Sequence, residues 1–183
     1  MTDVIDGCLK NDRNAQHKLY EKYASTMLGI CLRYAHSKEE AEDVMMEGFM
    51  TVFTKLNTFR GESSLETWIR HIMINTAINH YRSNKKYLLN DSIEDQQENT
   101  LTGPIDGEDI QTKLEAKQIL EIIEKMPDDF KIIFNLRAIE EYSFKEIGEQ
   151  LNKKENTVRV YFQRARFWLQ NRIQTEEFER KKK

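Results

Sequence analysis

Backbone breakers are scarce in this chain: its 183 residues include only 2 Pro and 7 Gly. A many-turned β-sandwich or barrel uses more of both, so the shortage predicts a mostly helical protein. Cysteine is nearly absent as well. Cys8 and Cys31 do not make a disulfide framework, and they fit a reducing, cytoplasmic setting as buried structural thiols rather than redox sensors. The opening MTDVIDGCLKND carries acids where a secretion signal needs a basic start and an apolar run. No stretch reaches the roughly 20 apolar residues of a membrane span, so no membrane insertion is expected. No GxxxxGK[ST], HExxH or CxxC occurs. His17, His36, His71 and His80 do not pair at metal-ligand spacing, and Asp128 and Asp129 read as helix-start residues. No nucleophile-and-base set, metal site or cofactor site emerges, which points away from an enzyme.

What is present is 39% hydrophobic and 32% charged residues, enough apolar side chain for real cores. The net charge of −3 hides an asymmetry. Residues 88–110 hold seven acids and no Lys or Arg; without them 28 basic residues face 24 acidic ones. Between 152 and 174 lie six basic residues (Lys153, Lys154, Arg159, Arg164, Arg166, Arg172) against one acid, Glu155. The chain therefore reads as all-α. A helical domain over 1–87 and a second over 111–175 are joined by a flexible acidic linker, 88–110, and followed by a basic tail, 176–183.

Leu19, Tyr20, Tyr23, Met27, Ile30, Cys31 and Tyr34 recur at three-to-four spacing, the buried stripe of a helix over about 13–35. Ser37-x-x-Glu40 and Ser63-x-x-Glu66 read as capping boxes opening helices over about 39–56 and 65–85. The first of these has acids in its opening turn and Met45, Phe49, Val52 and Leu56 on one face. Its apolar arc is too wide for one neighbour, so it lies mid-bundle or against a partner. Further on, Pro127 stops a helix over 112–126, and others follow over 128–139, 143–151 (capped by Ser143-x-x-Glu146) and 155–173.

The last two, joined by Asn152, Lys153 and Lys154, have the outline of a helix-turn-helix. Val158, Phe162, Ala165 and Leu169 form an apolar stripe that can pack on Ile147 and Leu151. Arg159, Gln163 and Arg166 form a polar row suited to base edges, with Lys153, Lys154 and Arg164 nearer the phosphates. Asn156 and Thr157, at the start of that helix, complete the candidate set. In the first domain His71, Asn75, Asn79, Arg82 and Lys86 fall within an arc of about 80°, and Trp68 projects towards it. Amides, cations and rings on one face suit unstacked bases. The preceding loop (Phe59, Arg60, Gly61, Glu62, Ser63, Ser64) has the makings of a pocket for one extruded base. From the residues alone, a stand-alone helix-turn-helix regulator and a helical adaptor with an incidental basic face stay open.

The stretch AEDVMMEGFMTVFTKLNTFRGESSLETWIRHIMINTAINHYR resembles the second conserved domain of extracytoplasmic-function sigma factors of the sigma-70 family. DDFKIIFNLRAIEEYSFKEIGEQLNKKENTVRVYFQRARFWL resembles their fourth. The resemblance implies a transcription-initiation factor with core RNA polymerase, promoter DNA and an anti-sigma protein as partners. It implies that Asp43, Met46, Glu47, Phe49, Met50 and Phe53 dock on the polymerase. The loop 59–64 and the helix with Asn75 and Asn79 would capture and melt the minus-ten element, and the 155–170 helix would read the minus-thirty-five element. Two departures stand out: Met46 replaces a frequent Gln, and Val160 and Tyr161 stand where small or basic residues are usual.

Overall fold

The computed structural model describes residues 2–91 and 116–180, and among them every regular element is helical. The chain divides into two compact units, Met1–Ile93 and Glu94–Lys183. The connector from 92 onward, up to 115, lies outside the described residues, as do tail residues 181–183.

The N-terminal unit contains α1 (Thr2–Leu9), α2 (Arg13–Leu32), α3 (Lys38–Lys55), a 3₁₀ turn (Leu56–Thr58) and α4 (Leu65–Asp91). α2, α3 and α4 all pack on one another. The expected stripe of α2 is buried at Leu19, Tyr23, Met27, Ile30 and Cys31. Half-buried Tyr20 rests its ring 4.8 Å from that of Phe49. Met45, Phe49, Val52 and Leu56 are buried from the α3 side, and Ile69, Met73, Ile74 and Ile78 from the α4 side. Burying each such side chain stabilises the unit by about 1.5–3 kcal/mol. α3 crosses α4 closely enough that a Cβ on Gly48 would run into the Met73 sulfur.

Helix starts follow the serines, with differences. Ser37 accepts a hydrogen bond from the Glu40 amide, but the Glu40 carboxylate accepts from the His36 amide instead of closing the box. The Ser63 box does not form. Ser64 caps α4, its hydroxyl accepting from the Thr67 amide and its carbonyl from the Trp68 amide. Sequence reasoning also missed α1, whose approach to α2 brings the place of a Cβ on Gly7 within 2.6 Å of the Ala15 Cβ. α4 runs four residues into the expected linker, and the last helix continues through Arg180 into the expected tail.

The C-terminal unit contains α5 (Ala116–Glu124), α6 (Asp128–Phe134), a wide turn (Asn135–Ile139), α7 (Phe144–Leu151) and α8 (Glu155–Arg180). Pro127 separates α5 from α6, its carbonyl accepting from the Phe130 and Lys131 amides. The expected single helix over 128–139 thus ends in an i→i+5 turn, with the Glu140 amide on the Asn135 carbonyl. Ile122, Ile123, Met126, Ala165, Leu169 and Ile173 form one core cluster, flanked by Phe130, Phe134 and Trp168.

Candidate nucleic-acid interface

The helix-turn-helix is built by three local devices. Ser143 and Glu146 form a complete capping box, with bonds of 3.2 and 2.7 Å, that fixes the start of α7. Asn152 ends α7 in the left-handed region at φ 52°, which Asn tolerates better than most residues. The turn then folds back so tightly that the Lys153 amide reaches the Gly148 carbonyl at 2.9 Å. A Cβ on residue 148 would lie 2.7 Å from the Lys153 carbonyl oxygen, so only glycine fits. Val158 and Ala165 at 0% exposure and Leu169 at 7% anchor α8 inward, and Phe162 packs on Phe134 and Phe144.

The outer side of α8 and the turn before it present Lys154, Asn156, Arg159 and Arg166 exposed, with Lys153, Thr157, Gln163 and Arg164 half-buried. Several of these cations are not loose. Arg159 donates to Glu155 at 2.6 and 3.1 Å and lies 4.5 Å from the centre of the Phe144 ring. Arg137 approaches the same ring at 5.0 Å. Lys153 approaches Tyr161 and Arg172 approaches Trp168, at 5.2 and 5.9 Å. Cation–π contact of this kind holds a charge in place at modest cost in solvation. Phe144 and Glu155 are thus neighbours of the candidate row that sequence reasoning missed; the i,i+4 spacing of Glu155 and Arg159 was the available signal.

In the N-terminal unit α4 brings His71, Asn75, Asn79 and Arg82 to one exposed face, as the spacing predicts. Lys86 belongs to α4, but its side chain lies outside the described residues. Trp68 is half-buried and packs on Phe59 with ring centres 5.5 Å apart, forming one wall of the 59–64 loop. Arg60, Gly61, Glu62, Ser63 and Ser64 are exposed, and Gly61 turns the loop at φ 74°, where a side chain would be strained. Glu40 ties α3 to this helix: one carboxylate oxygen lies 3.2 Å from His80 Nδ1 and accepts from Asn84 at 3.2 Å. His80 directly follows Asn79 and Asn84 lies one turn beyond His80, so the clasp fixes the rotation of the exposed row.

On α3, Asp43, Met46, Glu47 and Met50 form an exposed row, with Met46 52% and Met50 64% exposed. Phe53 is half-buried. Phe49, expected beside them, is only 2% exposed. It points into the core against Tyr20 and Phe53, so it supports the face rather than lining it. Behind Met46 a groove of about 310 Å³ runs between α2 and α3, lined by Tyr20, Leu28, Glu42 and Met45 among others. α3 thus combines both readings of its wide apolar arc, one side in the bundle and one side bare.

The thiols sit apart from these faces. Burial pushes Cys31 up to about 12, and burial together with the charge of Asp12 raises Cys8. At the exposed start of α3, hydrogen bonds from its own amide and from Ser37 hold the Glu39 carboxyl below its usual range.

Residues 19–87 match the family model for sigma-70 region 2, and residues 116–169 match that for sigma-70 region 4. The chain belongs to the sigma-70 family. It is an extracytoplasmic-function sigma factor, a transcription-initiation protein. The ECF RNA polymerase sigma-E factor of Haemophilus influenzae is 28% identical over 179 residues, spanning 93% of this sigma factor and 94% of the relative. The RNA polymerase sigma-H factor of Pseudomonas aeruginosa is 28% identical over 178 residues, spanning 93% and 92%. Among solved structures, the sigma factor RpoE of Bartonella quintana, crystallised with the anti-sigma factor NepR, aligns with a TM-score of 0.50 at 17% identity, covering 85% of this chain and 94% of that one. That likeness concerns the fold. Among the described residues, no helix of this sigma factor is long and apolar enough to cross a membrane.

Proposed function

We propose that this sigma factor docks on core RNA polymerase through the exposed α3 row of Asp43, Met46, Glu47 and Met50, with Phe53 at its edge. The promoter is then engaged at two places. The α4 row and the 59–64 loop hold the melted minus-ten strand: Asn75 and Asn79 meet base edges, Arg82 attracts phosphate, and the loop walled by Phe59 and Trp68 receives an extruded base. α8 lies in the major groove of the minus-thirty-five element, with Arg159, Gln163 and Arg166 towards bases and Lys153, Lys154 and Arg164 towards phosphates. Asn156 and Thr157, in the first turn, lie where recognition helices meet the groove.

The observation that carries the reading is the pairing of surfaces within one chain: an amide-rich row on one unit and a ring-supported basic row on a helix-turn-helix in the other. An acidic connector, and an anti-sigma protein that competes for the α3 face, complete the scheme. Run-off transcription with purified core polymerase on pooled genomic templates tests it. New start sites should appear only when both proteins are present. Duplex binding without any change in transcription start would instead make this a stand-alone regulator.

A further inference from the structure

The sixth residue of α8 is Val160, and its side chain is 49% exposed. It packs in no part of the described core. At about 100° per residue it lies roughly 160° round the helix from Val158, which is fully buried. The centre of the outward face is therefore occupied by Asn156, Val160, Gln163 and half-buried Phe167, with Arg159 and Arg166 on one flank and Arg164 on the other. A β-branched residue lowers helix propensity slightly and, here, adds nothing to packing or solubility. Neither fold nor charge accounts for a valine at this place.

A recognition helix enters the major groove with its first turns deepest. There the apolar group a base pair presents is the 5-methyl of thymine, which apolar side chains recognise. Arginines on both flanks bring phosphates and guanines to either side, so the one exposed aliphatic group between them faces the floor of the groove. We infer that Val160 is a specificity-determining residue that reads a thymine methyl in the upstream duplex element. This rests on the promoter reading above.

Deoxyuridine tests it, because it keeps every hydrogen-bonding edge of thymine and lacks only the methyl. Holoenzyme made from the full chain and core polymerase is titrated with duplexes carrying its selected upstream element, one thymine at a time replaced by deoxyuridine. At one position wild type should bind about threefold to fivefold more weakly, the value of one methyl removed from water. Val160→Thr, which keeps a methyl, should retain that sensitivity, and Val160→Ser should lose it. A wild type indifferent to every thymine methyl, or a Val160→Ser protein with the full uracil penalty, overturns the inference. Holoenzyme with no sequence-selective duplex binding at all overturns the promoter reading itself, a separately recognisable result.

Discussion

Along α4 the exposed row runs His71, Asn75, Asn79, Arg82; from the turn before α8 along its outer side it runs Lys154, Asn156, Arg159, Val160, Arg166. The first is half amide, with one cation and one imidazole, and is anchored through the clasp of Glu40 with His80 and Asn84. The second is mostly cation, with Arg159 leaning on Phe144 and Lys153 on Tyr161. Amides contribute little to long-range attraction and much to recognising unpaired base edges. Cations do the reverse, since phosphate neutralisation dominates affinity and carries its salt dependence. The two rows thus divide the work. In the proposed scheme α8 supplies attraction and duplex register, while α4 supplies the preference for separated strands that would make opening favourable.

The largest expected effect separates the rows. Asn75→Ala with Asn79→Ala removes two amide contacts worth about 1–1.5 kcal/mol each, so open complexes should fall about a hundredfold while core-polymerase binding stays intact. Permanganate footprinting of the promoter measures this, and normal reactivity of the melted thymines would remove the α4 row from the mechanism. On the other side, Arg159→Ala should cost about 1–3 kcal/mol of discrimination at one base pair and leave melting on an intact template chemically normal. A selected-sequence profile unchanged at every upstream position would count against Arg159 as a reader. Lys153→Gln with Lys154→Gln should weaken duplex binding about equally for every sequence and flatten its log–log salt slope by about two. The asparagine pair should not move that slope.

How far these rows were legible in the sequence depended on whether the signal was local. Ser143 and Glu146 close their box because both partners are neighbours. Ser37 and Glu40 do so only by half, because the Glu40 carboxylate is taken by His36, His80 and Asn84, a tertiary arrangement that spacing does not reveal. In the loop before α4 two adjacent serines compete, and Ser64 wins the cap through the Thr67 hydroxyl and amide. The α4 row was readable from periodicity. So was the inward side of Phe49, in one stripe with Met45, Val52 and Leu56, all of them buried; it was the family resemblance that set it among the docking residues, and packing decides for the stripe. α1 carries no cap signature and is held by its approach to Ala15. Val160 was legible as a departure from the family pattern, yet only the exposed geometry of α8 gives it a purpose.

The units also differ in how they tolerate added bulk. Gly148→Ala places a methyl against a backbone carbonyl of the recognition turn, which has nowhere to move. A loss of about 2–3 kcal/mol is expected in the C-terminal unit, read as a lower urea midpoint. Gly48→Ala meets instead the flexible end of Met73. It should cost less than about 1 kcal/mol, because a thioether adjusts where a carbonyl does not. Equal penalties would mean that the α7–α8 turn relaxes more readily than its bonds suggest.

A modest pH response is expected in the N-terminal unit, which holds both cysteines. Cys31 is raised from an ordinary thiol value of 9.0 to about 12 by burial, and Cys8 is raised in the same direction. A folded state that favours the neutral thiol gains stability fully below the ordinary value. It loses that gain as pH rises from about 9 through 12, because the unfolded chain ionises first. Cys31→Ala should therefore cost on the order of 1–2 kcal/mol at pH 8 through the small cavity it leaves. At pH 10 the difference from wild type should shrink by on the order of 1 kcal/mol. The Gly148→Ala penalty, set by sterics in the other unit, should be the same at both values. Urea titrations of the two variants at pH 8 and 10 make the comparison. A Cys31→Ala penalty that does not change with pH would show that the thiol is hydrated in the native protein, and that the α2–α3 packing is looser than its burial implies.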